Sequence, residues 1–201
     1  PLSALVLAGR TDNLESARAF LSPRLSSLHD PLHLRGMDQA LDRIARAISR
    51  GESIAIFGDY DVDGLTATSL LFRFFRWLGI IAIPYIPHRL NEGYGMSIKG
   101  IESLHGDGVS LIITVDNGIG SHEEIAYAAR LGMDVVVTDH HQPTDALPPA
   151  AAVINPNRRD CSYPFKWLSG VGIAFKLAHA LARHLGKPAG ESKAFLLEQM
   201  D

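Results

Sequence analysis

Ser53-Ile54-Ala55-Ile56-Phe57-Gly58-Asp59-Tyr60-Asp61-Val62-Asp63-Gly64 is the stretch that decides the fold. A short, uncharged, mostly apolar run ends at a glycine. Three aspartates follow at every second position, and a second glycine closes the segment. A continuous apolar run bounded by turn signals reads as a strand buried on both faces, here 53–57. Residues 64–78 then carry a helical pattern, stopped by Gly79.

Outward from this unit the alternation repeats. Residues 80–86, 111–115, 134–138 and 151–154 read as short apolar strands. Residues 97–105, 122–131, 171–185 and 191–200 read as helices. Strands alternating with helices imply a doubly wound α/β domain, its mainly parallel sheet covered by helices on both faces. Upstream, Asp12 or Asn13 can cap a helix running to Leu21. Met37, Leu41, Ile44 and Ile48 recur at helical spacing before Gly51. We therefore expect a helical lead-in over 1–50, packed on a core domain over 51–201.

In such sheets ligands sit beyond the carboxyl ends of the strands. The first strand empties into Asp59, Asp61 and Asp63. The 111–115 strand empties into Asp116-Asn117-Gly118, and the 134–138 strand into Asp139-His140-His141. If extended backbone persists after Phe57, the three aspartates point to one side. Alone, they read equally as a solvated acidic turn with Asp63 capping the helix. Three strand ends bringing acids or imidazoles to one edge are harder to reconcile with that. Crowded carboxylates repel unless a cation sits among them. Carboxylates with imidazole suit a site for two Mn²⁺ or Mg²⁺ ions, and such sites suit phosphoester hydrolysis.

Other chemistries fit less well. An EF-hand starting at Asp59 would place Leu70 where the loop needs Glu. No nucleophile elbow and no Walker loop occurs. Cys161 is the single cysteine, so thiolate zinc chemistry and an internal disulfide are both excluded, which fits a reducing, cytoplasmic location. The net charge of −3, from 19 basic and 22 acidic residues, is not the footprint of a passive DNA-binding module. Bound cations can invert that reading by holding phosphates. No apolar run approaches membrane-spanning length, and the opening residues carry no signal-peptide pattern.

The ordered set Asp59-Tyr60-Asp61-Val62-Asp63-Gly64, Asp116-Asn117-Gly118 and Asp139-His140-His141 resembles the DHH phosphoesterase superfamily. Further stretches resemble its RecJ-type exonucleases. They are Ile86-Pro87-His88-Arg89, Glu92-Gly93-Tyr94-Gly95, Asn155-Pro156, Tyr163-Pro164-Phe165 and the run from Leu168 to Leu177. The resemblance implies a metal-dependent 5′→3′ exonuclease acting on single-stranded DNA in repair and recombination. By the same resemblance, a single-strand-binding protein and a helicase are expected partners. It implies Asp61, Asp63, Asp116 and His140 as metal ligands, with Asp116 able to bridge both ions and Asp59 as a further acid. It places His141 near the scissile phosphate and gives Asp139 an orienting role. Asp201 falls where the family has a fourth acidic motif. Family members also carry further domains that close the cleft, so the chain is expected to be a fragment lacking its C-terminal domains.

Candidate substrate contacts are Arg89, Asn91 and Tyr94, in a loop where a guanidinium can hold phosphate and a tyrosine can stack on a base. Ser169, Gly170 and Gly172 open a helix whose free N–H groups attract anions. Alternative readings are a DHH phosphoesterase acting on short oligonucleotides or pAp, and a catalytically inactive scaffold.

Overall fold

The computed structural model describes residues 2–22, 24–90 and 92–199. The chain divides into two compact units, with the boundary after Asp30 rather than at the end of the expected lead-in. In the first unit, α1 (Leu2–Ala8) and α2 (Leu14–Leu21) contain no buried residue. Asn13 is the α2 cap, accepting the Ser16 N–H at 2.9 Å.

From Pro31 onward the chain forms the second unit. Its elements are α3 (Met37–Arg50), β1 (Ser53–Phe57), α4 (Val62–Trp77), β2 (Ile83–Tyr85) and α5 (Ile98–Gly106). They continue as β3 (Val109–Val115), α6 (His122–Arg130), β4 (Asp134–Thr138), β5 (Ala152–Ile154), α7 (Gly170–His184) and α8 (Ala189–Glu198). The second half of the expected lead-in, α3, belongs here and packs on α7 and β5. Arg43 on α3 reaches Glu52 and Asp134, each at 2.6 Å, tying the helix to the starts of β1 and β4.

All five strands are parallel, in the order β2-β1-β3-β4-β5. Successive side chains in a strand face opposite ways. Ala55, Phe57, Ile112, Val135 and Val137 pack with Ile101, Leu104, Ile125 and Ala128 of α5 and α6. Their neighbours Ile54, Ile56, Leu111, Ile113 and Val136 are equally buried, and α3, α4 and α7 pack against the sheet. With both faces covered, the strands carry continuous apolar runs instead of alternation.

β2 is shorter than expected. Ile80 donates its N–H to Phe75 at 2.8 Å, so the end of α4 consumes the first residues assigned to the strand. Pro84, which has no N–H, is tolerated because β2 is an edge strand. The residue range 191–200 expected for the last helix begins two residues late, and Met200 lies outside the described residues. Among the described residues no helix is long and apolar enough to cross a membrane.

Candidate metal centre

In this strand order the first strand is flanked by β2 and β3, so the direction of winding reverses between β1 and β3. A crevice opens at such a switch point, beyond the carboxyl ends of the strands. The residues leaving β1 and β3 border it directly.

β1 delivers Asp59, Asp61 and Asp63, but not along one strand face. Extended backbone ends at Phe57, and α4 begins at Val62. Asp61 is the N-cap in place of Asp63, its Oδ1 accepting the Gly64 N–H at 2.9 Å. A cap of this kind is worth about 1 kcal/mol. Asp59 is buried. Its Oδ1 accepts the Tyr60 N–H at 2.8 Å, while Oδ2 is buried with no hydrogen-bond donor. Burial pushes the Asp59 carboxyl pKa up, and the charge of Asp61 adds to the effect. A β-carbon at Gly64 would lie 2.7 Å from Asp59, so the turn closes only around glycine.

Asp63 faces α7. The N–H groups of Gly170 and Val171 donate to its two oxygens, each at 2.7 Å. The Gly172 N–H is held by Ser169 Oγ at 3.2 Å. This corrects the expectation that the N–H groups of Gly170 and Gly172 are free donors for a substrate phosphate. The helix start does attract an anion, but the anion is the protein's own Asp63.

β3 delivers Asp116, the one non-glycine residue with positive φ (63°) among the described residues. Asp and Asn tolerate this region better than most side chains. Its neighbour Asn117 is fully buried and donates to the carbonyls of Phe57 (3.1 Å) and Val115 (2.9 Å), bracing the ends of β1 and β3. The Asp116 carboxyl is buried, and Oδ1 accepts no well-aligned hydrogen bond, although His140 Nε2 lies 3.0 Å away. Burial first, then the charges of Asp63 and Asp61, push its pKa up to about 8.

β4 delivers Asp139, His140 and His141. Asp139 is buried and saturated. Its Oδ1 accepts the backbone N–H groups of His140 (2.7 Å) and His141 (3.1 Å) and lies 2.7 Å from His141 Nδ1. Its Oδ2 accepts the Ile119 N–H at 2.9 Å. Burial opposes ionisation, but these hydrogen bonds outweigh it and hold the Asp139 carboxyl below its usual range. The same contact raises the His141 pKa. Asp139 therefore orients His141 and has little capacity left for a further partner.

The chain leaving β5 supplies two supports, Asn155 from one of the stretches that carry the resemblance and Asn157 just after it, and neither was expected to have a role at the site. Asn155 Nδ2 donates to the His141 carbonyl at 2.8 Å, and Asn157 Nδ2 to the His140 carbonyl at 2.6 Å. The strand-end position of Asn155 was the available signal. Asn117 carried the same one.

Above the crevice, the Tyr94 hydroxyl donates to the Asp116 carbonyl at 3.1 Å and lies 3.3 Å from the His141 ring nitrogens. Its ring stands edge-on to Tyr60, and the Arg89 guanidinium sits over Tyr60 at 5.3 Å. A groove of about 440 Å³ runs beside His141, lined in part by Tyr94, Met96, Ile119 and Glu124. Asn91 and Asp201 lie outside the described residues. Lys166, Arg158 and Arg159 are committed to carbonyl or carboxylate partners within the protein.

One ligand atom each from Asp59, Asp61 and Asp116 falls within 4.8 Å of the others, and the same holds for Asp116, His140 and His141. Asp116 is common to both groups. Asp63 Oδ2 is 3.7 Å from His140 Nε2. Buried carboxylate oxygens without donors are costly. Asp59 Oδ2 and Asp116 Oδ1 are such atoms, and a hard divalent cation is the partner their chemistry fits.

An open parallel sheet with acids and imidazoles gathered at its switch point defines the class of domain. The model of the DHH family, N-terminal domain, matches residues 53–198, and the chain belongs to the DHH family. Among its relatives, the single-stranded-DNA-specific exonuclease RecJ of Bacillus subtilis (strain 168) is 47% identical over 186 residues. That match covers 92% of this chain and 24% of the relative. A crystal structure of exonuclease RecJ bound to manganese is similar at TM-score 0.72 and 39% identity, over 81% of this chain and 41% of that one. RecJ from Thermus thermophilus in complex with Mn²⁺ is similar at TM-score 0.69 and 33% identity, over 89% of this chain and 25% of that one. The chain spans about a quarter of the length of the curated relative it matches.

Proposed function

We propose that this chain is the catalytic domain of a metal-dependent 5′→3′ exonuclease that hydrolyses phosphodiester bonds of single-stranded DNA, in DNA repair and recombination. The observation that carries the reading is the pair of ligand groups sharing Asp116, with buried oxygens that lack donors. It stands beside 47% identity to a single-stranded-DNA-specific exonuclease. In this reading Asp59, Asp61, Asp63, Asp116 and His140 would hold two Mn²⁺ or Mg²⁺ ions. Manganese in the similar RecJ structures supports that choice. When bound, such ions supply Lewis-acid polarisation of the phosphate and lower the pKa of water.

The remaining steps belong to the chain's own residues. Asp139 engages Nδ1 of His141 and orients the ring, leaving Nε2 as the atom that can exchange a proton with substrate. Asn155 and Asn157 fix the backbone of the histidine pair. Arg89, Asn91 and Tyr94 are the proposed contacts to the incoming strand. Asp201 is proposed as a further acid by the family pattern. A single-strand-binding protein and a helicase are proposed partners on the same pattern, and a cytoplasmic location fits the single cysteine.

The test is digestion of 5′- and 3′-labelled oligonucleotides, single-stranded and blunt duplex, with and without Mn²⁺, alongside anomalous scattering from Mn²⁺-soaked crystals. The reading expects label release from 5′ ends of single strands and manganese peaks at Asp116. Release from 3′ ends, or peaks only elsewhere, would overturn it.

A further inference from the structure

Large aromatic side chains are few on the exposed surface of this protein, and they are not spread evenly. Among the described residues the prominently exposed ones are Phe20, Tyr94, Phe165 and Trp167. Phe20 lies in the first unit. The other three lie on segments that border the metal centre.

Trp167 is the most exposed of them, at 81%, and its ring stands 5.8 Å from that of Phe165, edge to face. The residue between them explains the display. Lys166 is drawn inward, its Nζ donating to the carbonyls of Pro156 (2.7 Å) and Cys161 (2.6 Å). With Lys166 anchored beneath, its two neighbours are turned out. An indole this exposed offers a large, rigid apolar face for a partner to pack on.

The position gives the surface a use. Trp167 precedes the α7 cap Ser169 by two residues, and Gly170 abuts Asp116. Three residues of chain span at most about 11 Å, so the indole is anchored within one or two nucleotides' length of the cluster. Tyr94 stands at the crevice itself, hydrogen-bonded to the Asp116 carbonyl. Aromatic residues thus stand on two segments that each reach Asp116, and unpaired bases stack on aromatic faces whatever their sequence.

We infer that Phe165 and Trp167 form a stacking platform for an unpaired base of single-stranded DNA close to the scissile phosphate. The inference rests on the proposed action on single-stranded DNA and assigns one of its binding contacts. A base on the indole face quenches tryptophan fluorescence, which gives a readout independent of cleavage.

The protein is titrated with a phosphorothioate-linked dT oligonucleotide in Mn²⁺, and steady-state cleavage of ordinary dT oligonucleotides is measured beside it. The expected result is strong quenching in the wild type, none in Trp167→Phe, and none with blunt duplex. Trp167→Ala should raise KM about tenfold with kcat within about twofold, while Trp167→Phe stays within about threefold in KM. That size matches base–aromatic stacking measured by alanine substitution. Neither variant should shift the melting temperature, since the side chain is exposed. Manganese-dependent cleavage with unchanged KM in Trp167→Ala and no quenching would overturn the platform and leave the phosphoesterase reading intact. Equal quenching by duplex would overturn it as well. Absence of cleavage by the wild type would remove the phosphoesterase reading, and quenching would still decide the platform.

Discussion

Gly170 lies directly against the carboxyl group of Asp116. A β-carbon at position 170 would come 2.5 Å from Asp116 Cβ and 2.6 Å from its Cγ and Oδ1. The first turn of α7 is thus pressed onto the residue shared by both ligand groups, while its N–H groups hold Asp63. One helix start positions two of the acids.

Gly170→Ala should therefore disable the centre although alanine favours helix. Relieving the clash must move either α7 or Asp116, and overpacking of this kind costs about 1–3 kcal/mol. We expect Mn²⁺ affinity, measured by calorimetry, to fall at least tenfold, with a small drop in melting temperature. Wild-type affinity in Gly170→Ala would contradict the account.

Asp116 sets a pH dependence for the metal-free protein. Its pKa is pushed up to about 8, above the ordinary carboxylate value, so the folded state binds more protons than the unfolded state between about pH 4 and pH 8. Stability should fall as pH rises through that window. Asp116→Asn removes the charge and keeps a side chain that tolerates the φ of 63°. The metal-free variant should melt higher than wild type at pH 8 and close to it at pH 4. Adding Mn²⁺ at pH 8 should raise the wild-type melting temperature and leave the variant's nearly unchanged. Melting curves in chelator and in Mn²⁺ check both halves.

Asn155 braces the histidine pair from outside the ligand set. Asn155→Ala leaves the His141 carbonyl without its 2.8 Å donor and the Asn157 N–H without its acceptor. Unsatisfied buried groups cost about 1–3 kcal/mol each. We expect kcat to fall by tenfold or more with KM nearly constant, because the residue positions His141 and does not touch substrate. A change confined to KM would count against this role.

Glu92 organises the loop that carries Arg89 and Tyr94. It accepts from the Tyr85 hydroxyl (2.6 Å), the Ser97 hydroxyl (2.9 Å) and the His88 N–H (2.9 Å). Burial pushes its pKa up, but these bonds outweigh it and leave the group below its usual value. Its contribution to stability is thus complete above the ordinary glutamate pKa and is lost as pH falls through the lowered one. Glu92→Gln should abolish that acid-side loss and lower the melting temperature at pH 7. It should also raise KM for oligonucleotides several-fold. Parallel melting curves for the two proteins at every pH would refute it.

The class of fold and the chemistry of the site are legible in the order of residues. Short apolar runs such as Ile54–Phe57 and 111–115, bounded by turn residues, read as strands covered on both sides, and the acids and imidazoles stand just after such runs. Both signals are local, carried by a few adjacent residues, and so they can be read without coordinates. What each residue does at the site is a matter of tertiary structure. Strand order, and with it the β1/β3 crevice, depends on crossovers between segments distant in the chain. That Asp61 caps α4, that Asp63 occupies the N–H groups of Gly170 and Val171, and that Asn155 and Asn157 hold the histidine carbonyls all follow from where those crossovers bring the strand ends. A hydrogen bond such as that from Gly170 to Asp63, between residues 107 positions apart, leaves no periodicity in the sequence. Its geometry exists only once the sheet has closed.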